Sequence, residues 1–355
     1  MQENSTLQGV LVDAWSARGV LACALWPLSW IYRALIALRR HLYRWGWLAT
    51  RRVDAMVIVV GNVVAGGVGK TPTVTAVVKH LQQQNYQVGI VSRGYGRAST
   101  TCLEVGVDST ADEVGDEPLM LRQATEVPVF VDRNRHAAAQ ALLNRYPHTQ
   151  IIVCDDGLQH YGLSRDLEIC VFDDRGCGNG WLLPAGPLRE PWPRQALPQV
   201  GQADERLLAL HTGSRPAFAG YRAQRTLGSV AIHSDGSTVP IETLHSPSTS
   251  PLLALAGIGQ PEIFFSMLRA LKIPLARTLP LPDHYNFNSM SRSVYEGYRI
   301  ICTEKDALKL WRIAPDALAI PLLFQVDAEF FNALDAQVTS HFAAKLSSTH
   351  GHKIT

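Results

Sequence analysis

The segment GGVGKT at residues 66–71 combines residue types that bind the phosphate groups of a nucleotide. Glycines let the backbone approach an anion closely, and successive N–H groups of such a loop can point inward around it. A lysine can then reach the terminal phosphates, and a Ser or Thr hydroxyl can bind Mg²⁺. We therefore predict a nucleotide-binding loop made of Val64, Ala65, Gly66, Gly67, Val68, Gly69, Lys70 and Thr71.

Two adjacent carboxylates follow a separate apolar run in the segment IIVCDDGLQH, residues 151–160. Phosphoryl transfer needs a carboxylate at the end of a strand beside the phosphate loop, because the metal must be held close to the phosphates. We predict that Asp155 and Asp156, together with Thr71, bind Mg²⁺. The alternative is that the paired Asp residues cap a turn or a helix. Gln159 and His160 either orient this site or belong to an ordinary turn.

The elements around these residues have the pattern of an α/β protein. Strands covered on both faces are continuously apolar rather than alternating, and four such runs occur, at residues 57–61, 88–92, 151–155 and 168–173. Helical patterns lie between them, at residues 71–81 and 133–146. We predict a P-loop NTPase-like, mostly parallel sheet with helices on both faces, a second and smaller α/β domain, and an N-terminal membrane-associated helix.

The chain of 355 residues is long enough for two domains. A Gly- and Pro-rich stretch after residue 180 predicts an extended loop over the sheet, and Asp235-Gly236 predicts a hairpin. We expect four segments: an apolar membrane-associating helix (1–50), a P-loop domain (51–225), a β-hairpin connector (226–250) and a smaller α/β domain (251–345).

The composition excludes several classes of protein. A hydrophobic content of 46% with 18% charged residues indicates a globular chain, and a net charge of +2 argues against a dedicated nucleic-acid binder. The six cysteines have no metal-like spacing, which predicts buried free thiols in the cytoplasm.

Residues 19–48 are strongly apolar and rich in Trp and Tyr, and Arg residues cluster in the second half of this segment and directly after it. Pro27 and Arg33 interrupt the run, and the uncharged stretch before Arg33 is shorter than the ~20 residues that a bilayer requires. The pattern favours a helix lying at the surface of an anionic membrane. A helix packed on the protein's own core and a single membrane span are the alternatives.

Seven motifs resemble, in their order along the chain, those of tetraacyldisaccharide 4'-kinase, the lipid A 4'-kinase of Gram-negative bacteria. They are VVGNVVAGGVGKTP (59–72), VSRGYGR (91–97), GDEP (115–118), DDGLQH (155–160), LPAGPLREP (183–191), DHYNF (283–287) and TEKDA (303–307). The resemblance implies ATP-dependent phosphorylation of the 4'-hydroxyl of a tetraacylated disaccharide 1-phosphate at the cytoplasmic face of the inner membrane. An acylated disaccharide lipid and an anionic membrane surface are the expected partners, and no obligate protein partner is indicated.

The resemblance also implies roles for residues outside the loop. Asp116 in GDEP matches the family's proposed general base, and His284 in DHYNF matches the residue that orients it. Because His284 follows the predicted connector, we expect this dyad to form when the second domain closes onto the first. Lys70 and Arg93 are expected to stabilise the charge of the migrating phosphoryl group.

Other basic residues are candidates for binding this group or the substrate's 1-phosphate, with ordinary surface solvation as the alternative: Arg97, Arg133, Arg135, Arg189 and Lys305.

Two other classes of nucleotide-binding protein are alternatives to the kinase. A membrane-associated regulatory ATPase of the ParA/MinD type has a similar loop, but its signature lysine is replaced by Ala65 here. A GTP-dependent metallochaperone would need a base-reading motif, of which TEKD is only a faint counterpart.

Overall fold

The computed structural model describes residues 14–67, 69–194, 206–213, 215–245, 250–259, 261–283 and 285–350. The chain divides into two compact units. Unit one comprises Met1–Ala223 and Val326–Thr355, and unit two comprises Gln224–Gln325. The boundary between residues 223 and 224 is close to the predicted one at residue 225. The chain returns to unit one at Val326, whereas the second domain was predicted to continue to residue 345.

A mostly parallel sheet forms the centre of unit one, and its order among the described residues is β15-β8-β7-β6-β1-β5-β2-β4-β3. The strands are β1 (Met56–Gly61), β2 (Val88–Ser92), β3 (Leu103–Glu104), β4 (Val129–Val131), β5 (Ile151–Asp155), β6 (Leu167–Phe172), β7 (Leu207–His211), β8 (Tyr221–Leu227) and β15 (Leu322–Val326). β1 pairs in parallel with both β5 and β6. Its register places Val60 opposite Asp155, so the carboxylate pair emerges beside the loop that follows β1.

The helices of unit one whose bounds lie within the described residues are α1 (Val20–Arg44), α2 (Lys70–Gln83), α3 (Ala111–Val114), α4 (Asp116–Thr125), α5 (Arg135–Arg145) and α8 (Ala328–His350). α2 buries an apolar stripe that includes Val74, Val77 and Leu81. The last helix, α8, packs on α2 through an interaction of His80 Nε2 with Asp335 Oδ1 at 2.8 Å. The C-terminal helix therefore belongs to unit one, which differs from the predicted domain 251–345.

Unit two is a smaller α/β unit with sheet order β10-β9-β14-β13-β11-β12. Its elements are β9 (Val230–Ile232), β10 (Thr238–Pro240), β11 (Leu252–Ala256), α6 (Pro261–Ala270), β12 (Leu275–Pro280), β13 (Arg299–Thr303), α7 (Glu304–Leu310) and β14 (Leu318–Ile320). The predicted hairpin is present as the antiparallel pair β9–β10. Because β9 also pairs with β14, the hairpin forms the edge of this sheet and is not a separate connector.

The α/β fold class and the four predicted strands are confirmed, since β1, β2, β5 and β6 are buried along their whole length. The six cysteines are free thiols, and Cys154, Cys170 and Cys302 are buried as predicted. Cys23 is exposed on α1, contrary to the prediction, because it lies away from the face of this helix that packs on the protein.

Candidate functional site

The predicted phosphate loop lies between β1, which ends at Gly61, and α2, which begins at Lys70. Gly66 has φ +102° and Gly69 has φ +91°, a region that side chains with a Cβ rarely adopt. Gly69 directly precedes the helix, so the free N–H groups and positive dipole end of α2 face the loop. Val68 lies outside the described residues.

The segment 187–189 of the motif LPAGPLREP pairs with the start of this loop. The N–H of Ala65 donates to Pro187 O at 2.8 Å, and the N–H of Arg189 donates to Val63 O at 2.7 Å. A β-bridge joins Val64 to Leu188 between these two bonds. The predicted extended loop therefore serves as a backing strand for the phosphate loop.

Lys70 faces the second residue of the predicted carboxylate pair. Its Nζ lies 3.4 Å from Asp156 Oδ1 and 3.4 Å from Asn62 Oδ1. Arg189 Nη1 approaches the same Asp156 oxygen at 3.8 Å. These two long ion pairs place two cations around one carboxylate oxygen that makes no hydrogen bond within the described part of the chain.

Asp155 is fully buried at the end of β5. Its Oδ2 accepts a hydrogen bond from Ser92 Oγ at 2.9 Å, whereas its Oδ1 has no hydrogen-bond partner among the described residues. Burial, followed by the charges of Glu117 and Asp156, raises the pKa of Asp155 to about 7. A buried carboxylate oxygen without a donor, next to a second carboxylate, fits a hard divalent cation that takes oxygen ligands. Thr71, the third predicted ligand, lies in the first turn of α2 directly after Lys70 and carries a hydroxyl oxygen.

Asp116 is the first residue of α4, directly after Gly115. The next residue, Glu117, is close enough for its charge to raise the pKa of Asp155, which brings the start of α4 next to the carboxylate pair. Glu117 was not among the predicted site residues. It is the second acid of the motif GDEP, directly after the predicted base Asp116, and this position was the available indication in the sequence.

Arg135 is buried and has a role that the sequence did not predict. Its guanidinium donates to Asp132 O at 2.9 Å, Asp155 O at 3.3 Å and Asp156 O at 3.5 Å. Its backbone N–H donates to His160 Nε2 at 3.2 Å. Burial, and next the charge of Arg135, lower the pKa of His160 to about 4, so this imidazole is a neutral acceptor at neutral pH. Arg135 and His160 thus fix the backbone that carries both carboxylates.

The remaining predicted residues lie in different surroundings. Arg93 is exposed at the end of β2, and its charge contributes to the low pKa of His160. Arg97 is half-buried, and its Nη1 and Nη2 make no hydrogen bond within the described ranges, which suits a phosphate ligand. Arg133 is exposed, and Lys305 donates to Asp283 Oδ1 at 3.0 Å within unit two. His284 lies outside the described residues, so its pairing with Asp116 stays a prediction.

One face of α1 packs on the loop that backs the phosphate loop. Ser29 Oγ donates to Leu182 O at 2.8 Å and accepts from the N–H of Ala185 at 3.1 Å. Tyr32 donates from its hydroxyl to Arg189 O at 3.2 Å. The N-terminal helix is therefore hydrogen-bonded to the residues next to the candidate site.

The opposite face of α1 is apolar and exposed. Leu28, Ile31, Leu35 and Leu38 follow a 3-4-3 spacing, and each is more than half exposed. The residues of this helix that are buried are the small Ala22 and Ser29. By length and composition the helix could cross a membrane. Most of its large apolar side chains thus point away from the protein.

A parallel sheet with a glycine loop between β1 and α2, and a carboxylate pair on the adjacent strand, defines the P-loop class of nucleotide-binding proteins. Residues 21–343 match the family model of tetraacyldisaccharide-1-P 4'-kinase. The tetraacyldisaccharide 4'-kinase of Polaromonas naphthalenivorans is 51% identical over 98% of this chain and 100% of that relative. The same-named protein of Delftia acidovorans is 45% identical over 92% of this chain and 93% of that relative. This chain belongs to the tetraacyldisaccharide 4'-kinase family, so the predicted resemblance is confirmed.

A solved structure has the same fold. The apo form of LpxK from Aquifex aeolicus, crystallised in complex with ATP, has a TM-score of 0.73 and 28% sequence identity. The similarity covers 90% of this chain and 99% of that one, so it includes both units.

Proposed function

We propose that this chain is an ATP-dependent kinase that phosphorylates the 4'-hydroxyl of the tetraacyldisaccharide 1-phosphate precursor of lipid A. Membership of the family gives the reaction, and the site contains the groups that phosphoryl transfer needs. The proposal rests on the position of Lys70 at the end of the glycine loop, 3.4 Å from Asp156, which directly follows the buried Asp155. A relative of the same fold was solved with ATP, which supports ATP as the donor.

The residues that would hold Mg²⁺ are Thr71, Asp155 and Asp156. When bound, this cation supplies positive charge that offsets the charge on the phosphate oxygens. Asp155 is suited to this role because its raised pKa falls again when a cation approaches, so the carboxylate becomes fully ionised.

Asp116 would act as the general base. Its carboxylate takes the proton of the 4'-hydroxyl while that oxygen bonds to the γ-phosphorus, and the bond from this phosphorus to the β–γ bridging oxygen breaks to release ADP. His284 would orient Asp116, and Lys70 and Arg93 would stabilise the negative charge on the transferred group. A double-mutant cycle tests the pairing of Asp116 with His284. If the activation free-energy losses of the two single variants, calculated from kcat, add up to that of the double variant, the two residues act independently.

We infer that the protein works at the cytoplasmic face of the inner membrane. A lipid with four acyl chains stays in the bilayer, and the exposed stripe of Leu28, Ile31, Leu35 and Leu38 is suited to contact lipid. The Trp and Arg residues of α1 would lie at the level of the headgroups. We propose attachment at the surface, with a single span as the alternative outcome of accessibility labelling from the two sides.

Product analysis tests the proposed reaction. Purified protein is incubated with ATP, Mg²⁺ and the tetraacylated disaccharide 1-phosphate, and phosphorus NMR locates the added phosphate. We expect one new monoester at the 4' position, absent with Lys70→Ala. Phosphate found only as free inorganic phosphate would reject the kinase and favour a regulatory ATPase.

A further inference from the structure

Two side chains, one buried and one partly exposed, hold four successive carbonyl groups of the phosphate loop. The first is Asn62, which is fully buried directly after β1. Its Nδ2 donates to Val64 O at 2.5 Å and to Gly66 O at 3.1 Å. One amide group therefore binds alternate carbonyls on one side of the loop.

The second is Arg175, which comes from the loop after β6. Its Nη1 donates to Ala65 O at 3.3 Å and its Nη2 donates to Gly67 O at 3.4 Å. These are the two carbonyls of residues 64–67 that Asn62 does not bind. Gly66 has φ +102°, which favours glycine, and a Cβ there would also lie 3.1 Å from Arg175 Nη1, so this guanidinium packs closely against the loop.

Asp173 holds Arg175 in this position. The carboxylate accepts from Arg175 Nε at 3.1 Å and from Nη2 at 2.8 Å, and its side chain is only 5% exposed. Because a carboxylate already balances the charge of Arg175, this arginine adds little net positive charge to the site. Arg175 therefore contributes to the site mainly by directing its hydrogen bonds to the carbonyl groups of the loop.

The direction of the carbonyls decides what the loop can bind. A carbonyl oxygen that faced the phosphates would repel them, whereas carbonyls held on outer side-chain donors leave the N–H groups to face an anion. Asn62 also lies next to the cations, because its Oδ1 is 3.4 Å from Lys70 Nζ and 3.5 Å from Arg189 Nη1. The same amide therefore connects the loop backbone with the lysine.

We propose that Asn62 and Arg175 are positioning residues for ATP: together they bind the carbonyls of residues 64–67 and so present the loop's N–H groups to the phosphates. This inference rests on the proposed function of the loop as an ATP site. Neither side chain is proposed to touch the phosphates, so both affect ATP binding through the backbone of the loop.

Variants that remove the donors without removing the bulk test this proposal. Arg175→Met removes every donor, Arg175→Lys keeps one cation for Asp173 and one carbonyl, and Asn62→Leu keeps the bulk, adds no charge and removes the amide donor. Arg145→Met is the matched control, because Arg145 has a 71% exposed side chain on α5 and its ion pair, with Glu104 at 3.9 Å, lies away from the phosphate loop. Each protein is assayed for the equilibrium affinity for ATP, the KM for ATP, the KM for the lipid and the melting temperature.

We expect Arg175→Met and Asn62→Leu to weaken ATP binding and to raise the KM for ATP by about tenfold or more, because each loses two hydrogen bonds that orient the loop. The KM for the lipid should stay within about twofold of the control's value, and Arg175→Lys should recover part of the ATP affinity. An ATP affinity equal to that of Arg145→Met would overturn the proposal. So would a parallel rise of both KM values with a lower melting temperature, since this indicates general loss of structure.

The affinity measurement separates this inference from the proposed function. If the wild-type protein binds ATP but phosphorylates no lipid, the kinase assignment fails, while the loss of affinity in the variants still supports the positioning role. If the wild-type protein binds no ATP under these conditions, both proposals are rejected.

Discussion

Replacing Asp155 by Asn should make the protein more stable in the absence of Mg²⁺ and nucleotide, although it removes activity. The pKa of Asp155 is raised from 3.8 to about 7, chiefly by burial, so the folded state disfavours the ionised carboxylate. A raised pKa gives stability that is present at low pH and is lost as the pH rises through about 7. Asn is neutral at every pH and keeps an oxygen that accepts from Ser92, so it removes this penalty.

The size of the effect follows from the shift. Each pKa unit corresponds to about 1.4 kcal/mol, so the penalty of the ionised carboxylate reaches roughly 4 kcal/mol at about pH 8.5 and roughly 2 kcal/mol at about pH 5. For a domain of this size, roughly 4 kcal/mol raises the melting temperature by on the order of 10 °C. Thermal unfolding in detergent with a chelator, followed by circular dichroism at both pH values, measures the difference.

The matched control is Asp108→Asn, since Asp108 is exposed and its replacement should leave the melting temperature nearly unchanged at both pH values. Adding ATP and Mg²⁺ should stabilise the wild-type protein more than Asp155→Asn, because a ligand that binds only the folded state raises its stability. A variant that is no more stable than the wild type at about pH 8.5, or whose gain is the same at both pH values, would refute the electrostatic reasoning.

Three further predictions concern binding, chemistry and the membrane. Lys70→Ala should weaken ATP binding by about 100-fold or more in calorimetry, because it removes the cation at the end of the loop; unchanged affinity would contradict its role. Asp116→Ala should leave ATP affinity intact and lower kcat by about 10²–10⁴-fold, and near-normal turnover would remove it from the mechanism. Glu at both Ile31 and Leu35, which are 60% and 59% exposed, should release the protein from vesicles of anionic lipid, whereas Ser at both positions should release it less. Equal sedimentation of the Glu variant and the wild type would place the membrane contact on another surface.

The phosphate loop and its sheet could be predicted from local sequence because their signals are local. The apolar runs of β1 and β5 are continuous, and the glycines with Lys70 and Thr71 directly follow one of them. Because parallel strands end at the same edge of a sheet, the pattern predicts that Asp155 lies at the edge where β1 ends and the phosphate loop begins. The face of α1 that carries Leu28, Ile31 and Leu35 also follows from helical spacing.

The parts that could not be predicted depend on contacts between distant residues. Arg175 lies about a hundred residues after the loop that it binds, and nothing in the neighbouring sequence distinguishes it from a solvated arginine. Arg135 was considered as a phosphate ligand or a surface residue, and only its burial beneath Asp155 and Asp156 reveals its contacts with the backbone. Similarly, α8 follows unit two in the chain, so its return to unit one could not be read from sequence order.

Helix α1 and the candidate site share one loop. Tyr32 of α1 is hydrogen-bonded to the backbone of Arg189, whose N–H binds the start of the phosphate loop and whose guanidinium approaches Asp156. A change in α1 is therefore linked to the site through a single residue. This arrangement predicts that Tyr32→Phe alters the KM for ATP without altering sedimentation with vesicles, and an effect on sedimentation alone would contradict it.

On the proposed mechanism, the glycine loop delivers the terminal phosphate of ATP to a lipid-borne sugar alcohol and not to water. The most direct measurement is the ratio of labelled lipid formed to ADP released, using γ-labelled ATP with and without the tetraacylated disaccharide 1-phosphate in mixed micelles. We predict a ratio close to one with the lipid and very slow ADP release without it. Rapid ADP release that is independent of the lipid, with no label in the lipid fraction, would contradict phosphate transfer to the lipid.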